Sequence, residues 1–164
     1  MQIKSKRLTW QTLKLLLFIV LDKNQPKVNA LMQYSKHESY RLEQQNNILL
    51  IDINEQGTFN DVVSEQYHKD IKVITQTMRD NPWASLITFK GKGVFTPDTE
   101  QSLIETTHYR VENGMIAIAV VIINSAYADI LQLQLQRIYQ SSSVQFNFFS
   151  DTKNAKQWLD SFIN

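Results

Sequence analysis

The apolar residues of this chain follow two patterns: short continuous runs, and positions spaced three or four residues apart. The longest run is 115–123 (MIAIAVVII), which lies between Gly114 and the pair Asn124-Ser125. This run is too short to span a bilayer, and its β-branched side chains favour a strand over a buried helix. A strand that is apolar on both faces has to be covered on both faces. The run therefore predicts an α/β sheet that lies between helices.

The rest of the chain predicts four further strands and four helices. The segments 41–42 and 48–53 flank a polar turn and predict an antiparallel hairpin, and single strands are predicted at 84–89 and 144–148. Apolar side chains at steps of three and four predict the helices. These helices are expected between Asn60 or Asp61 and Met78, between Thr96 and Val111, between Ser125 and Tyr139, and between Ser150 or Asp151 and Phe162.

The second of these helices has a well-defined start. Thr96 is expected to cap it, and Pro97 suits its first position because proline has no N–H to leave unpaired. Asp98 and Glu100 then lie near the positive end of the helix dipole. The pair 113–114 (Asn-Gly) provides the exit from the helix.

The segment 131–136 (LQLQLQ) fits two structures. Its alternation of apolar and polar residues is typical of a strand, whereas leucine and glutamine both favour a helix. Parallel strands on either side would need a crossover connection, which also favours the helix. In that helix Tyr127, Leu131, Leu135 and Ile138 would share one apolar face.

We predict a single α/β domain over residues 32–164, built on a mixed sheet of about five strands with helices packed around it. Residues 1–31 are treated as an N-terminal extension. Their apolar run 15–21 (LLLFIVL) is too short for a transmembrane anchor. The extension is open to three other interpretations: a start site wrongly placed ahead of Met32, a signal-like segment, or a helix that packs on the domain or lies on a membrane surface.

Charge and composition exclude several classes of function. Residues 1–31 carry six basic side chains and one acidic one, which gives +5, and the remaining 11 basic and 15 acidic side chains give −4. A mildly acidic domain without a basic stripe is not expected to bind nucleic acid. The chain has no cysteine, so disulfides, thiolate chemistry and cysteine-based zinc sites are excluded.

The sequence offers no recognisable catalytic motif or metal site, and we predict neither an enzyme nor a cofactor. His37, His68 and His108 lack the short spacing of metal ligands, and His68 is expected on the exposed side of its helix. There is no nucleophile elbow, P-loop or dinucleotide-binding fingerprint. Arg110 is expected to be a solvated charge near a helix end.

The order of these elements resembles the STAS domain group, whose best-known members are the SpoIIAA-type anti-sigma-factor antagonists. Residues 40–164 are most similar to the bacterial SpoIIAA-like family, often grouped with Sec-fourteen-type lipid carriers. The stretches that carry the resemblance are ILLIDINEQG (48–57), WASLITFKGKGVFTPDTEQSL (83–103), MIAIAVVIIN (115–124) and VQFNFFSDTKNAKQWLDSF (144–162).

The resemblance implies a regulatory domain, in which the sporulation members are switched by phosphorylation of a serine in an Asp-Ser-Ser-Gly motif. This chain has Phe95-Thr96-Pro97-Asp98-Thr99 in that region, so the motif is absent. Asp98 already supplies a negative charge there. The role of a helix cap accounts for Thr96 without modification.

We therefore expect a cytoplasmic, non-catalytic module that binds a partner protein or a second copy of itself. The binding residues are expected where parallel strands end and helices begin: Phe95, Thr96, Asp98, Asn124 and Ser125. This hypothesis predicts an exposed apolar patch beside Thr96 that includes Val94 and Phe95.

The alternative is a protein that binds a lipid or another small apolar ligand. It follows from the resemblance to lipid carriers and from the aromatic content of the chain. It requires a sizeable cavity lined by aromatic rings. The candidate rings are Phe89, Phe95, Tyr109, Tyr127, Phe146 and Phe148.

Overall fold

The structure is a computed structural model that describes residues 32–54, 59–90 and 93–163. The extension 1–31 lies outside the described residues. The six described strands are β1 Met32–Lys36, β2 Tyr40–Gln45, β3 Ile48–Ile53, β4 Trp83–Phe89, β5 Met115–Ile122 and β6 Gln145–Phe149. The described helices are α1 Asp61–Met78, α2 Pro97–Glu112, α3 Ala128–Gln140 and α4 Thr152–Ile163.

The strands form one mixed sheet in which chain order and spatial order coincide, from β1 to β6. The first three strands pair antiparallel, and β3 to β6 pair parallel. The hairpin between β2 and β3 turns at Asn46, which adopts a left-handed φ of 52°. The predicted α/β class, with a mixed sheet and helices packed around it, is confirmed. The edge strand β1 adds to the five strands that the pattern predicts.

The strand β5 lies between β4 and β6 and is covered on both faces, as the continuous apolar run predicts. On one face Ile118 and Val120 belong to the larger core, which includes the buried residues of α1 and α3. On the other face Ala117, Ala119 and Val121 belong to a smaller core with α4. A two-sided apolar strand has to be buried in this way.

The two faces of the sheet are covered unequally. Helices α1 and α3 pack on the larger core, whereas α4 is the described helix that covers the other face, over β4, β5 and β6. The sheet contributes three alanines to the contact with α4, and α4 contributes both small and large side chains. Ala84, Ala117 and Ala119 of the sheet meet Ala155 and Leu159 of α4. The alanines allow the helix to approach the sheet closely at Ala155.

The ambiguous segment 131–136 is helical, so its strand interpretation is wrong. Helix α3 buries Leu131, Leu135 and Ile138, as the helical pattern predicts. Tyr127 differs from the prediction, because it is the N-cap residue of α3 and is 53% exposed. A residue ahead of the first turn does not follow the helical spacing, and its side chain points away from the core.

Candidate functional site

The predicted site lies where β3, β4 and β5 end and α1, α2 and α3 begin. Thr96 caps α2, because its Oγ1 accepts a hydrogen bond from the N–H of Thr99 at 3.1 Å. The same hydroxyl donates to Oδ1 of Asp61 at 2.9 Å, and the hydroxyl of Thr99 donates to that oxygen at 2.6 Å. Asp61 belongs to the first turn of α1. One carboxylate therefore connects the first turns of two helices.

This arrangement has an electrostatic consequence for Asp61. The hydrogen bonds from Thr99 and from Thr96 lower the pKa of its carboxyl group, because they favour the ionised form. Two helix N-termini also place partial positive charge beside it. A phosphate on Thr96 would meet this carboxylate directly, and like charges at that distance repel.

Phe95 contributes to the core through its side chain and to the site through its backbone. Its N–H donates to Oε1 of Gln134 at 2.9 Å, and its carbonyl oxygen accepts from Nε2 of Gln134 at 2.8 Å. Its ring is 8% exposed and makes edge contacts with Phe59 and Phe89. The predicted exposed patch therefore excludes Phe95, whereas Val94 beside it is exposed.

The other predicted residues lie at the same edge of the sheet. Asp98 is exposed in the first turn of α2. Asn124 follows β5 with a left-handed φ of 52°, and Oγ of Ser125 accepts from the N–H of Tyr127 at 3.3 Å. Within the described chain, no hydrogen bond joins Asn124 or Ser125 to the group around Thr96. These residues thus form two neighbouring groups instead of one converging site.

Large apolar side chains are exposed along the outer side of α3. Tyr127, Ile130 and Leu133 are spaced three residues apart and are each more than half exposed. Gln134 of α3 holds the backbone of Phe95, so the exposed Val94 lies next to this helix. We call Val94, Tyr127, Ile130 and Leu133 the α3 apolar surface.

A cleft lies between α2 and α3. Its volume is about 360 Å³, and the ion pair of Glu100 with Arg137 contributes to its lining. The guanidinium binds both carboxylate oxygens, with Nε to Oε1 at 2.8 Å and Nη2 to Oε2 at 3.0 Å. Bidentate geometry of this kind orients both side chains. The pair fixes α2 against α3 at the cleft.

Arg110 of α2 is buried, so its prediction as a solvated charge is wrong. It is 2% exposed, and it lines a cavity of about 20 Å³ between the sheet and helices α1, α2 and α3. This volume holds about one water molecule. The spacing of the sequence indicates this burial, because positions 103, 107 and 110 lie at steps of four and three and so share one face of the helix. The cavity is otherwise lined mainly by apolar residues: Ile53, Phe59, Tyr67, Ile87, Phe89, Phe95, Leu103, Thr107, Leu135, Ile138 and Tyr139.

The guanidinium of Arg110 is incompletely bonded. Its Nη1 donates to Oγ of Ser85 at 3.4 Å and its Nη2 to Oγ1 of Thr107 at 3.3 Å, whereas Nε has no hydrogen-bond partner. Burial raises the pKa of the phenols of Tyr67 and Tyr139, and the positive charge of Arg110 opposes that rise. A cation therefore lies close to two buried hydroxyl groups in apolar surroundings.

The histidines of the described chain serve structural contacts. His68 is half-buried instead of exposed, and its Nδ1 lies 2.8 Å from Oγ1 of Thr106. Burial and then the charge of Lys72 lower its pKa. Nε2 of His108 lies 3.2 Å from Oγ of Ser141. Across residues 32–54, 59–90 and 93–163, no three His, Asp or Glu side chains converge as metal ligands would.

Comparisons with family models, with curated proteins and with solved structures find no match to this chain. None of the described helices has the length and apolar character needed to cross a membrane.

Proposed function

We propose that this chain is a non-catalytic regulatory module of STAS-like type that binds a partner protein through the α3 apolar surface. The observation that carries the proposal is the exposure of Ile130 and Leu133 on α3 and of Tyr127 at its N-cap. Adjacent exposed apolar side chains are uncommon on proteins that act alone and are typical of interaction sites. The mixed sheet with helices on both faces supports the comparison with STAS domains at the level of architecture.

Charge at the margin of this surface indicates the chemistry of the partner. Asp98 is exposed in the first turn of α2, shortly after Val94 in the chain, and Asp129 is exposed in the first turn of α3, next to Ile130. The nearby Arg137 is already paired with Glu100. We therefore expect the partner to present an apolar helix face or loop that is flanked by lysine or arginine.

The test compares three forms of the full chain in capture from the source cell and in titration with the purified captured protein. The double variant I130E/L133E places charge in the centre of the surface. The control is V73E, because Val73 is exposed on α1, outside the surface. The wild type and V73E should bind the same basic-flanked protein, and I130E/L133E should weaken the titrated affinity by about a hundredfold.

Two outcomes would contradict this function. One is binding that I130E/L133E leaves unchanged. The other is a wild-type dimer, measured by light scattering, that I130E/L133E converts to a monomer while no other protein binds. That result would assign the surface to a second copy of the chain.

The alternative function, binding of a small apolar ligand, is supported by fewer rings than its prediction named. Phe89 and Phe95 line the interior cavity, whereas Tyr127 is exposed. Phe146 of β6 contacts Phe148 and Tyr139, and both phenylalanines are partly buried against the larger core. The observation that favours a ligand is instead the cation in this cavity.

A further inference from the structure

Arg110 is a buried cation whose charge is not neutralised within the described chain. Arg110 belongs to none of the ion pairs among the described residues. The whole side chain is buried, and its Nε has no hydrogen-bond partner. Its two hydroxyl contacts are long for hydrogen bonds to a charged group. Burial of an unpaired charge is strongly unfavourable. An anion at Nε would remove that cost.

The residues that line the cavity include this charge and a pair of aromatic rings. Arg110 lies near the C-terminus of α2, where it contacts Ser85 in the first half of β4. Phe59 and Phe95 precede α1 and α2 and lie at the opposite end of the sheet, with their ring centroids 6.1 Å apart. Leu103, a further wall residue, is partly buried between these ends. The lining is thus charged at Arg110 and mainly apolar elsewhere.

These features select one class of ligand. A single guanidinium neutralises a monovalent anion, and its Nε edge suits the two oxygens of a carboxylate. Apolar walls favour an apolar body over a hydrated one. We propose that the cavity binds a monocarboxylic acid with a short apolar body, with its carboxylate on Nε of Arg110 and its body against Phe59 and Phe95. This site is separate from the α3 apolar surface, and either proposal stands without the other.

Size sets a condition on binding. The cavity holds about one water molecule, so a carboxylate, which has three heavy atoms, enters only when the lining side chains move apart. The apolar body then has to displace the contact between the rings of Phe59 and Phe95. Phe59 is only partly buried, which makes its ring the side chain that moves.

The experiment titrates the full chain with acetate, isovalerate and hexanoate at constant ionic strength, with chloride as the small inorganic anion. Calorimetry should show saturable binding that tightens from acetate to hexanoate. Arg110→Met removes the charge and keeps an unbranched apolar side chain, and it should weaken binding of hexanoate by at least about tenfold. The control is Arg79→Met, which removes an exposed arginine and should leave the affinity unchanged.

A spectroscopic readout keeps the test independent of whether the Arg110 variant folds. In the wild-type chain, hexanoate should shift the NMR signal of the Arg110 Nε–H group and give contacts to the rings of Phe59 and Phe95. Three results would overturn the proposal: no saturable binding, equal loss of affinity in Arg79→Met, or chloride binding at Arg110 as tightly as hexanoate. A Phe59 and Phe95 signal that does not respond to hexanoate would overturn the assigned position of the apolar body.

Discussion

Gln134 forms two hydrogen bonds with the peptide of Phe95, one through each atom of its amide, at 2.9 Å and 2.8 Å. This pair joins α3 to the loop ahead of α2, and the loop carries Thr96 and Val94. Both partners are buried. In a strand or a helix, other backbone groups would bond the N–H and the carbonyl group of Phe95. Here the side-chain amide of Gln134 bonds both groups.

Replacement of Gln134 by leucine should destabilise the protein. The N–H and the carbonyl group of Phe95 would stay buried without partners, and we expect a loss of about 3 kcal/mol in the free energy of unfolding. Urea denaturation measures this loss. Gln132→Leu is the control, because Gln132 is exposed on the same helix and should change stability by less than about 0.5 kcal/mol. Equal effects of the two substitutions would contradict a structural role for the Gln134 amide.

Asp61→Asn should make the melting temperature of the protein less sensitive to a fall in pH. The pKa of Asp61 is lowered in the folded state, so its contribution is complete above the unfolded value of 3.8 and is lost as pH falls through the folded value. The melting temperature of the wild type should therefore exceed that of Asp61→Asn at about pH 6, and this difference should shrink toward about pH 2. A difference that stays constant over this range would show that the carboxylate charge has no role.

The control for this experiment is Asp80→Asn. Asp80 is exposed and makes no side-chain hydrogen bond within the described residues. Its replacement should leave the shape of the melting-temperature profile between those pH values unchanged.

Thr75→Val should stabilise the protein. Oγ1 of Thr75 is buried in α1 and has no hydrogen-bond partner, so a methyl group of the same shape removes an unsatisfied polar atom. We expect a gain of about 1 kcal/mol in chemical denaturation. Thr106→Val serves as the comparison and should be destabilising, because the hydroxyl of Thr106 donates to the carbonyl oxygen of Ser102 and contacts His68. A loss of stability in Thr75→Val would show that its hydroxyl is bonded in solution.

Leu159→Ala should weaken the contact between α4 and the sheet. Leu159 is fully buried in the smaller core, so its truncation leaves a cavity and should cost about 3 kcal/mol. Guanidinium denaturation, followed by circular dichroism, measures the change. Val62→Ala on the exposed start of α1 should be close to neutral. A similarly small effect for Leu159→Ala would mean that α4 is loosely attached.

Several parts of the fold were predictable because local pattern and tertiary environment agree. The run 115–123 is apolar on both sides and lies inside the sheet, and Thr96 with Pro97 begins α2 as the capping rules require. The hairpin before α1 was also visible from its polar turn. These signals depend on neighbours within a few residues.

The missed features depend on contacts that are distant in sequence. The edge strand β1 (MQYSK) is short and polar, and its pairing with β2 includes an irregularity between Gln33 and Ser35. The bond from Thr96 to Asp61 joins residues 35 positions apart. The sequence predicts a solvated Arg110 because charged side chains are rarely buried without a partner. The position of the candidate residues at the strand ends was therefore predictable from the sequence, but their hydrogen bonds were not.

The alanines between α4 and the sheet determine how the structure would respond to a larger side chain at that contact. Ala155 is fully buried in one core cluster with Ala84, Ala117 and Ala119, so the space at this position fits a methyl group. A single added methylene at Ala155 cannot be absorbed by rotation of a longer side chain. It would push the whole helix outward and also separate Trp158 from the ring of Phe149, so enlargement at one position becomes a rigid-body displacement.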